Sequence, residues 1–481
     1  MLFLLTIVFY VSACIAPHKL VLFLFCFIYF FVLWRVTRHF NHAWLVLYIT
    51  LSPIIVGKLV PIELISERVL NIPGRSFGIS SDAIYTISDA IIVCMGIVLV
   101  AQAFRRTLSY ERHYILEFVL FLYPVSSVIA TLVGSVRPEV SMFHMVYTIR
   151  PLILYYFIAS SAVLPLHQIF SVISAGMLLE LFIVVAQILH HGPLGLIIEP
   201  IANYVAVDLS RDAVNLARYG GTYMHANALA HALLIPVFVL LPSLFMRSQT
   251  KWRVVVISCV AGIATLVLTL SRSAWFAAAV AGGIFVYVAV YRWGSRFYAL
   301  QRISGWQRGI IVTLVIILGY VMVPRVLSTF ASGGQYGSLE TRLLLLREYS
   351  QTLAIRPYFG VGLEMDIYVQ YMRSKVWGDW NVTSPNRSVI LYFPEPVHNG
   401  LLRLLVQVGI VGTLPFVGIF FILFWMIRER VDAVRTAENR MVLLSLLTLF
   451  IAVFINSFMQ PIPMDLPLLV TITMLYLRNL T

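Results

Sequence analysis

Apolar residues run along this chain in long unbroken stretches of about 20 positions, each closed by a short polar or basic cluster. A continuous stretch of that length crosses the hydrocarbon core of a bilayer as a helix. Spanning β-strands leave short segments of alternating polarity instead. A helix satisfies its own backbone hydrogen bonds in lipid, so the pattern predicts an all-α polytopic bundle. The expected spans cover roughly 2–16, 20–34, 43–60, 83–104, 114–134, 141–164, 168–190, 225–246, 253–270, 273–290, 309–324, 399–427, 441–457 and 464–477. The first two are short enough to form one hairpin, so the expectation is about 12–14 transmembrane helices.

The polar clusters between the stretches orient the bundle. Arg35 and Arg38, Arg105, Arg106 and Arg112, Arg247, Lys251 and Arg253, Arg292 to Arg308, and Arg428 to Arg440 all fall on one side when the spans are threaded alternately. Basic residues concentrate in cytoplasmic loops, so that side and both termini are expected in the cytoplasm. The net charge of +13 then reflects membrane topology, and nucleic acid is not an expected partner, whereas membrane lipid is. With 60% of its 481 residues hydrophobic and only 11% charged, the chain is excluded from the soluble globular class. Cys14, Cys26, Cys94 and Cys259 all lie in apolar stretches without CxxC spacing, so no metal site or disulfide framework is indicated. Val11-Ser12-Ala13-Cys14 faintly resembles a lipoprotein cleavage box, but no basic segment precedes it, and an uncleaved first helix is expected.

One long polar interruption, from Pro324 to Gly412, breaks the pattern. We read the whole chain, 1–481, as one transmembrane domain with the loop 325–398 inserted on the external face. Within the loop, helical periodicity around Leu343–Leu353 is ended by Arg356-Pro357, since a residue before proline avoids the α region. Gly360-Val361-Gly362 then permits a tight turn. No internal repeat or soluble domain is visible.

Positive charge on the external side runs against the bias and marks candidate chemistry. Arg218 precedes Gly220-Gly221-Thr222 and Asn227 at the start of one span, and Arg272 sits in the two-serine turn Ser271-Arg272-Ser273 between two others. An arginine at that depth is a functional candidate, and its planar fork suits phosphate oxygens; the alternative is snorkelling to lipid headgroups. His398, one residue before Asn399 and a new span, can accept a proton near neutral pH or cap and pack a helix start. Gly409 and Gly412 would let a neighbouring helix approach closely and fix the helix that carries His398. Arg150-Pro151 interrupts another span, as a substrate contact or as half of a buried ion pair. Arg342 and Arg347 lie five apart on the loop helix and face different ways. No metal-ligand set, phosphate-binding glycine loop or nucleophile elbow appears.

His398-Asn399, followed by Gly409 and Gly412, resembles the pattern of the O-antigen ligase and O-antigen polymerase superfamily of bacterial membrane glycosyltransferases. Ser271-Arg272-Ser273-Ala274-Trp275, the run from Arg342 to Pro357-Tyr358-Phe359-Gly360-Val361-Gly362, and Arg218–Asn227 are similar to further blocks of that family, in the same order. The resemblance covers roughly 215–430. It implies a GT-C-like, metal-independent transferase without a cofactor, in the bacterial inner membrane with its site facing the periplasm; inversion at the anomeric carbon would follow from a single base without an enzyme nucleophile. The donor would be an undecaprenyl-diphosphate-linked oligosaccharide. Arg218 and Arg272 would hold the diphosphate, His398 would activate the acceptor hydroxyl, and Arg342, Arg347, Asn399, Asn227 and Arg150 would contact substrate. The acceptor would be a glycan repeat unit, in a polymerase of O-antigen or exopolysaccharide, or lipid A–core, in a ligase; transfer to a protein serine is a further variant. A chain-length regulator is an expected partner of a polymerase. A transporter or flippase would predict inverted repeats, which the sequence lacks.

Overall fold

Helices form where the apolar stretches predict them. The computed structural model describes residues 1–52, 57–60, 83–105, 112–135, 138–199, 206–207, 217–223, 225–244, 252–289, 338–363, 397–434, 436–460 and 466–480. Within these the helices are α1 (Leu2–Ile15), α2 (Lys19–Thr37), α3 (Phe40–Leu51), α4 (Ile87–Phe104), α5 (Tyr114–Gly134), α6 (Pro138–His144), α7 (Val146–Ser160), α8 (Leu166–His190), α9 (Ala226–Leu240), α10 (Trp252–Leu268), α11 (Arg272–Tyr287), α12 (Ser338–Ile355), α13 (Gly400–Ala433), α14 (Ala437–Met459) and α15 (Leu466–Leu480). Among the described residues seven helices are long and apolar enough to cross a membrane, and six more are apolar but shorter. The chain is an all-α polytopic membrane protein. The expected span 309–324 lies outside the described residues.

Three boundaries depart from the sequence reading. The expected span 43–60 ends at Leu51, and Gly57–Val60 forms a strand, β1, antiparallel to β2 (Ala83–Thr86). The span expected from 83 therefore starts at Ile87, where Thr86 and Asp89 form a reciprocal capping box. The expected span 141–164 is two helices, α6 and α7, with Met145 between them. A second ribbon pairs β3 (Ala206–Val207) with β4 (Ala217–Arg218).

The first three helices pack through polar groups that satisfy one another inside the bundle. The Thr6 and Tyr29 hydroxyls lie 2.8 Å apart, and the Tyr10 hydroxyl donates to the Thr50 carbonyl at 2.7 Å. Such bonds remove the penalty of burying hydroxyls in an apolar core.

The part of the fold that positions the site is the α13–α14 hairpin. Thr436 caps α14 only a few residues after α13 ends, and Phe420 stacks on Phe454 with ring centroids 5.6 Å apart. The two helices thus run antiparallel. α13 is broken at Gly409, whose φ of 64° and ψ of −171° are not helical. The part of α13 beyond the break is about as long as α14, so Gly409 lies level with the Met459 end of its partner. α5 packs along the same stretch of α13, with Tyr123 against Phe416 at 5.6 Å, and ends at Gly134 near the same level.

Candidate active site

The break at Gly409 is filled by the long polar loop. α12 ends at Ile355, as the Arg356-Pro357 step predicts, and the next residues thread between the end of α5 and the break. Val361 N donates to Val406 O at 2.9 Å and Gly362 N to Gln407 O at 2.8 Å; beyond the break, Ile410 N donates to Pro357 O at 2.9 Å and Val411 N to Tyr358 O at 3.1 Å. The loop therefore satisfies backbone groups that a broken helix leaves without intrahelical partners. On its other side, Arg356 Nη1 donates to Gly134 O, and the Ser141 hydroxyl donates to Leu363 O at 3.2 Å.

Glycine is required at two of these contacts. Gly409 occupies a backbone region that is essentially glycine-only, and a Cβ there would collide with the Tyr358 carbonyl. A Cβ on Gly360, which has φ +65°, would lie 2.5 Å from the carbonyl oxygens of Val406 and Gln407. The expectation that Gly409 admits a neighbouring helix is thus corrected: it admits the backbone of the loop. A membrane helix that stops at this level needs partners for its backbone, and the loop supplies them.

This arrangement fixes the start of α13. Val397 is buried with Leu345, Tyr349, Val361 and Val406, and Leu353 and Leu402 pack against them. α12 is in this way clamped onto the chain immediately before His398. Asn399 caps α13, its Oδ1 accepting from Leu402 N at 2.9 Å. Capping therefore falls to Asn399 and burial to Val397, with the half-buried His398 between them.

The second corner joins α10 to α11. Leu270, at φ 52°, turns the chain in a conformation uncommon for a bulky residue. The turn is held by Thr269 Oγ1 and Trp275 Nε1, which both donate to Leu266 O, at 2.7 and 2.9 Å. Arg272 is exposed as the first residue of α11. A helix N-terminus carries partial positive charge and attracts anions, so a cation there opposes the helix dipole and strengthens the field that an anion would meet. The buried Ser271 and Ser273 hydroxyls flank it, 3.3 Å apart. Gln460, at the end of α14, donates to Ser273 Oγ.

The third element is the turn between β4 and α9. Arg218 is the last residue of β4. Gly221 exchanges two hydrogen bonds with the Gln187 amide, 3.0 and 3.1 Å, and Gln187 also donates to Glu199 Oε1 at 2.6 Å. Thr222 donates from both N and Oγ1 to the Glu180 carboxylate, which is fully buried. The turn leads into α9, where His225 Nδ1 accepts from Asn227 N at 3.0 Å. Beneath it lies a cavity of about 50 Å³ lined by Tyr10, Met177, Glu180, Tyr223 and Leu468 among others.

Hairpin connectivity brings these starts to one end of the bundle. The α14 end at Met459–Gln460 meets Ser273 of α11, Asn456 one turn earlier meets His231 of α9 at 2.7 Å, and the α13 break lies level with them. Arg272, Asn227, His398 and Asn399 therefore share this end, with the Arg218 backbone adjoining. The remaining sequence candidates behave differently. Arg150 forms an ion pair with Asp89 at 2.5 Å and lies over the Tyr147 ring at 3.9 Å, the arrangement its second reading anticipated. Arg347 is exposed on α12. The side chains of Arg218 and Arg342 lie outside the described residues. Among those residues no group of three or more His, Cys, Asp or Glu is placed to hold a metal ion.

Sequence reasoning missed Glu180, Gln187 and Gln460. Glu180 and Gln187, seven apart in a helix of membrane-spanning length, carried a legible signal, because buried polar groups in such helices are rarely incidental.

The fold defines a polytopic membrane protein in which helix starts carrying arginine and histidine share one bundle end. Residues 257–417 match the model of a family described as O-antigen ligase. Through this region, about a third of its length, the chain is similar to that family, and the similarity supports a glycosyltransferase-like enzyme. The match takes in the Arg272 corner, α12, the Gly360–Gly409 contact and His398 together; Arg150, Arg218, Asn227 and Gln460 lie outside it. No curated protein matches the chain.

Proposed function

We propose that the protein is a GT-C-like, metal-independent glycosyltransferase of the bacterial inner membrane, working at the periplasmic face. It polymerises O-antigen or exopolysaccharide repeat units carried on undecaprenyl diphosphate. The observation that supports this reading is the shared bundle end: an exposed arginine on a helix N-terminus and a half-buried imidazole immediately before a capped helix start, both inside the family-matched region.

In this mechanism Arg272 and Arg218 hold the diphosphate of the donor. The acceptor hydroxyl oxygen attacks the anomeric carbon as its proton passes to the His398 imidazole. The bond from that carbon to the diphosphate oxygen breaks, and the lipid diphosphate leaves with the electron pair. Neutralising charge on the leaving group is the main expected electrostatic contribution, and holding donor and acceptor together supplies much of the rest. Direct displacement with one base and no enzyme nucleophile inverts the anomeric configuration. Asn227, Asn399, Arg342, Arg347 and, through its exposed edge, Arg150 are the further substrate contacts of this reading.

A second reading keeps the chemistry and changes the acceptor: a ligase that moves the finished glycan to lipid A–core. The two are separated by examining surface glycans and lipid-linked intermediates in a strain lacking the gene. Single repeat units on core or carrier identify a polymerase, which would also work with a chain-length regulator. Long chains on the carrier beside bare core identify a ligase. Unchanged glycans reject both.

A further inference from the structure

The end of α14 carries two amides, Asn456 in its last turn and Gln460 as the extended residue that closes the helix. Both are buried, at 0% and 2% exposure. Asn456 Nδ2 donates to His231 Nδ1 on α9, and Gln460 Nε2 donates to Ser273 Oγ on α11. The end of α14 is thereby tied to the two helices whose starts carry Asn227 and Arg272.

This set is poorly explained by stability. Asn456 Oδ1, Gln460 Oε1 and His231 Nε2 are buried without a hydrogen-bond partner among the described residues. A partly satisfied polar network in an apolar interface is worse for stability than apolar side chains of the same size. Hydrogen bonds give what apolar contacts do not, a fixed direction and length. Ser273 is adjacent in sequence to Arg272, so the Gln460 bond sets where the Arg272 backbone sits relative to α14. The Asn456–His231 bond sets α9 against the same helix.

We propose that Gln460, supported by Asn456 and His231, is a positioning residue that holds the Arg272 corner in register with the start of α9, so that both engage one lipid diphosphate. Gln460 lies outside the region that matches the family model, and it touches no substrate in this arrangement. The inference rests on the proposed role of Arg272.

The test measures binding of undecaprenyl diphosphate to the purified full-length protein in detergent micelles, together with its thermal unfolding midpoint. Gln460→Leu weakens binding about tenfold, the scale of a modest misplacement of a binding group, while the midpoint stays level or rises. Ser273→Ala produces a similar loss, and the double variant is no weaker than either single one, because both remove the same bond. Wild-type affinity in Gln460→Leu, losses that add in the double variant, or a midpoint that falls together with affinity would each overturn the inference. Arg272→Ala separates its failure from that of the underlying reading. If Arg272→Ala binds the carrier as tightly as wild type, the diphosphate role itself is wrong. If Arg272→Ala binds weakly while Gln460→Leu binds normally, only the positioning role is lost.

Discussion

The two helix starts that carry His398 and Arg272 are built by opposite means. At the His398 start, backbone holds backbone: the Pro357–Gly362 segment threads into the α13 break and donates to or accepts from both of its sides. At the Arg272 start, side chains hold the turn: Thr269 and Trp275 bond one carbonyl, and Gln460 reaches across from another helix to Ser273. A backbone clamp is indifferent to most side chains but intolerant of a Cβ where the chains touch. A side-chain clamp tolerates local backbone change but depends on particular donors. The two corners therefore differ in which substitutions break them.

The largest effect follows from the backbone clamp. Gly409→Ala places a Cβ against the Tyr358 carbonyl in a glycine-only conformation. The combined strain and overlap cost on the order of 3 kcal/mol or more, and the loop leaves the break. Thermal unfolding of the purified protein would show a large drop in midpoint, with transfer lost at the same time. A near-native midpoint would mean that the loop does not occupy the break in the working protein.

His398→Ala comes next and separates chemistry from architecture at the same corner. Asn399 supplies the cap and Val397 is buried in the α12 cluster, and the variant keeps both. Glycan transfer falls roughly 10²- to 10⁴-fold, the range of a lost general base. Asn399→Ala gives the complementary result, a stability loss of about 1 kcal/mol for a missing cap. Normal glycan length and yield from His398→Ala would remove the imidazole from the mechanism.

Much of this contrast was legible in the chain, but unevenly. Hydrophobic runs located the helices because membrane spans must be continuous, and Arg356-Pro357 marked the end of α12 because proline constrains its neighbour whatever the fold. His398 and Arg272 stood out as polar groups at span ends. The partner of Gly409 was not legible, since a glycine in a span reads equally as a helix contact or a break, and Tyr358 is distant in sequence. Gln460 was invisible for a related reason: an amide at a span end looks solvated until another helix buries it. Arg150 was legible as costly, but its pairing with Asp89 depended on how α4 and α7 pack.

The side-chain corner is probed most sharply by Arg272→Lys. The variant keeps the charge and the neighbouring bonds of Ser273 and Trp275, so the fold is unaffected. It loses the planar fork that the proposed diphosphate contact needs. Transfer falls roughly tenfold or more, in line with the loss of one charged hydrogen bond. Equal activity with Lys would show that Arg272 acts only as a point charge, and the bidentate contact would be withdrawn.

The smallest effect belongs to Arg347, which stands on the loop helix of the backbone-held corner but takes no part in its clamp. Leu345 and Tyr349, on either side of it, face the buried cluster, while Arg347 is exposed. Arg347→Ala leaves stability within about 0.5 kcal/mol, as expected of an exposed position without special contacts. If the side chain meets the glycan or its diphosphate, transfer falls roughly twofold to fivefold, the scale of one solvent-screened charge, and the loss shrinks as salt is raised. Unchanged transfer at low salt would take Arg347 out of the site and leave α12 with one role: pressing Leu345 and Tyr349 onto Val397 so that His398 stays where the helix start puts it.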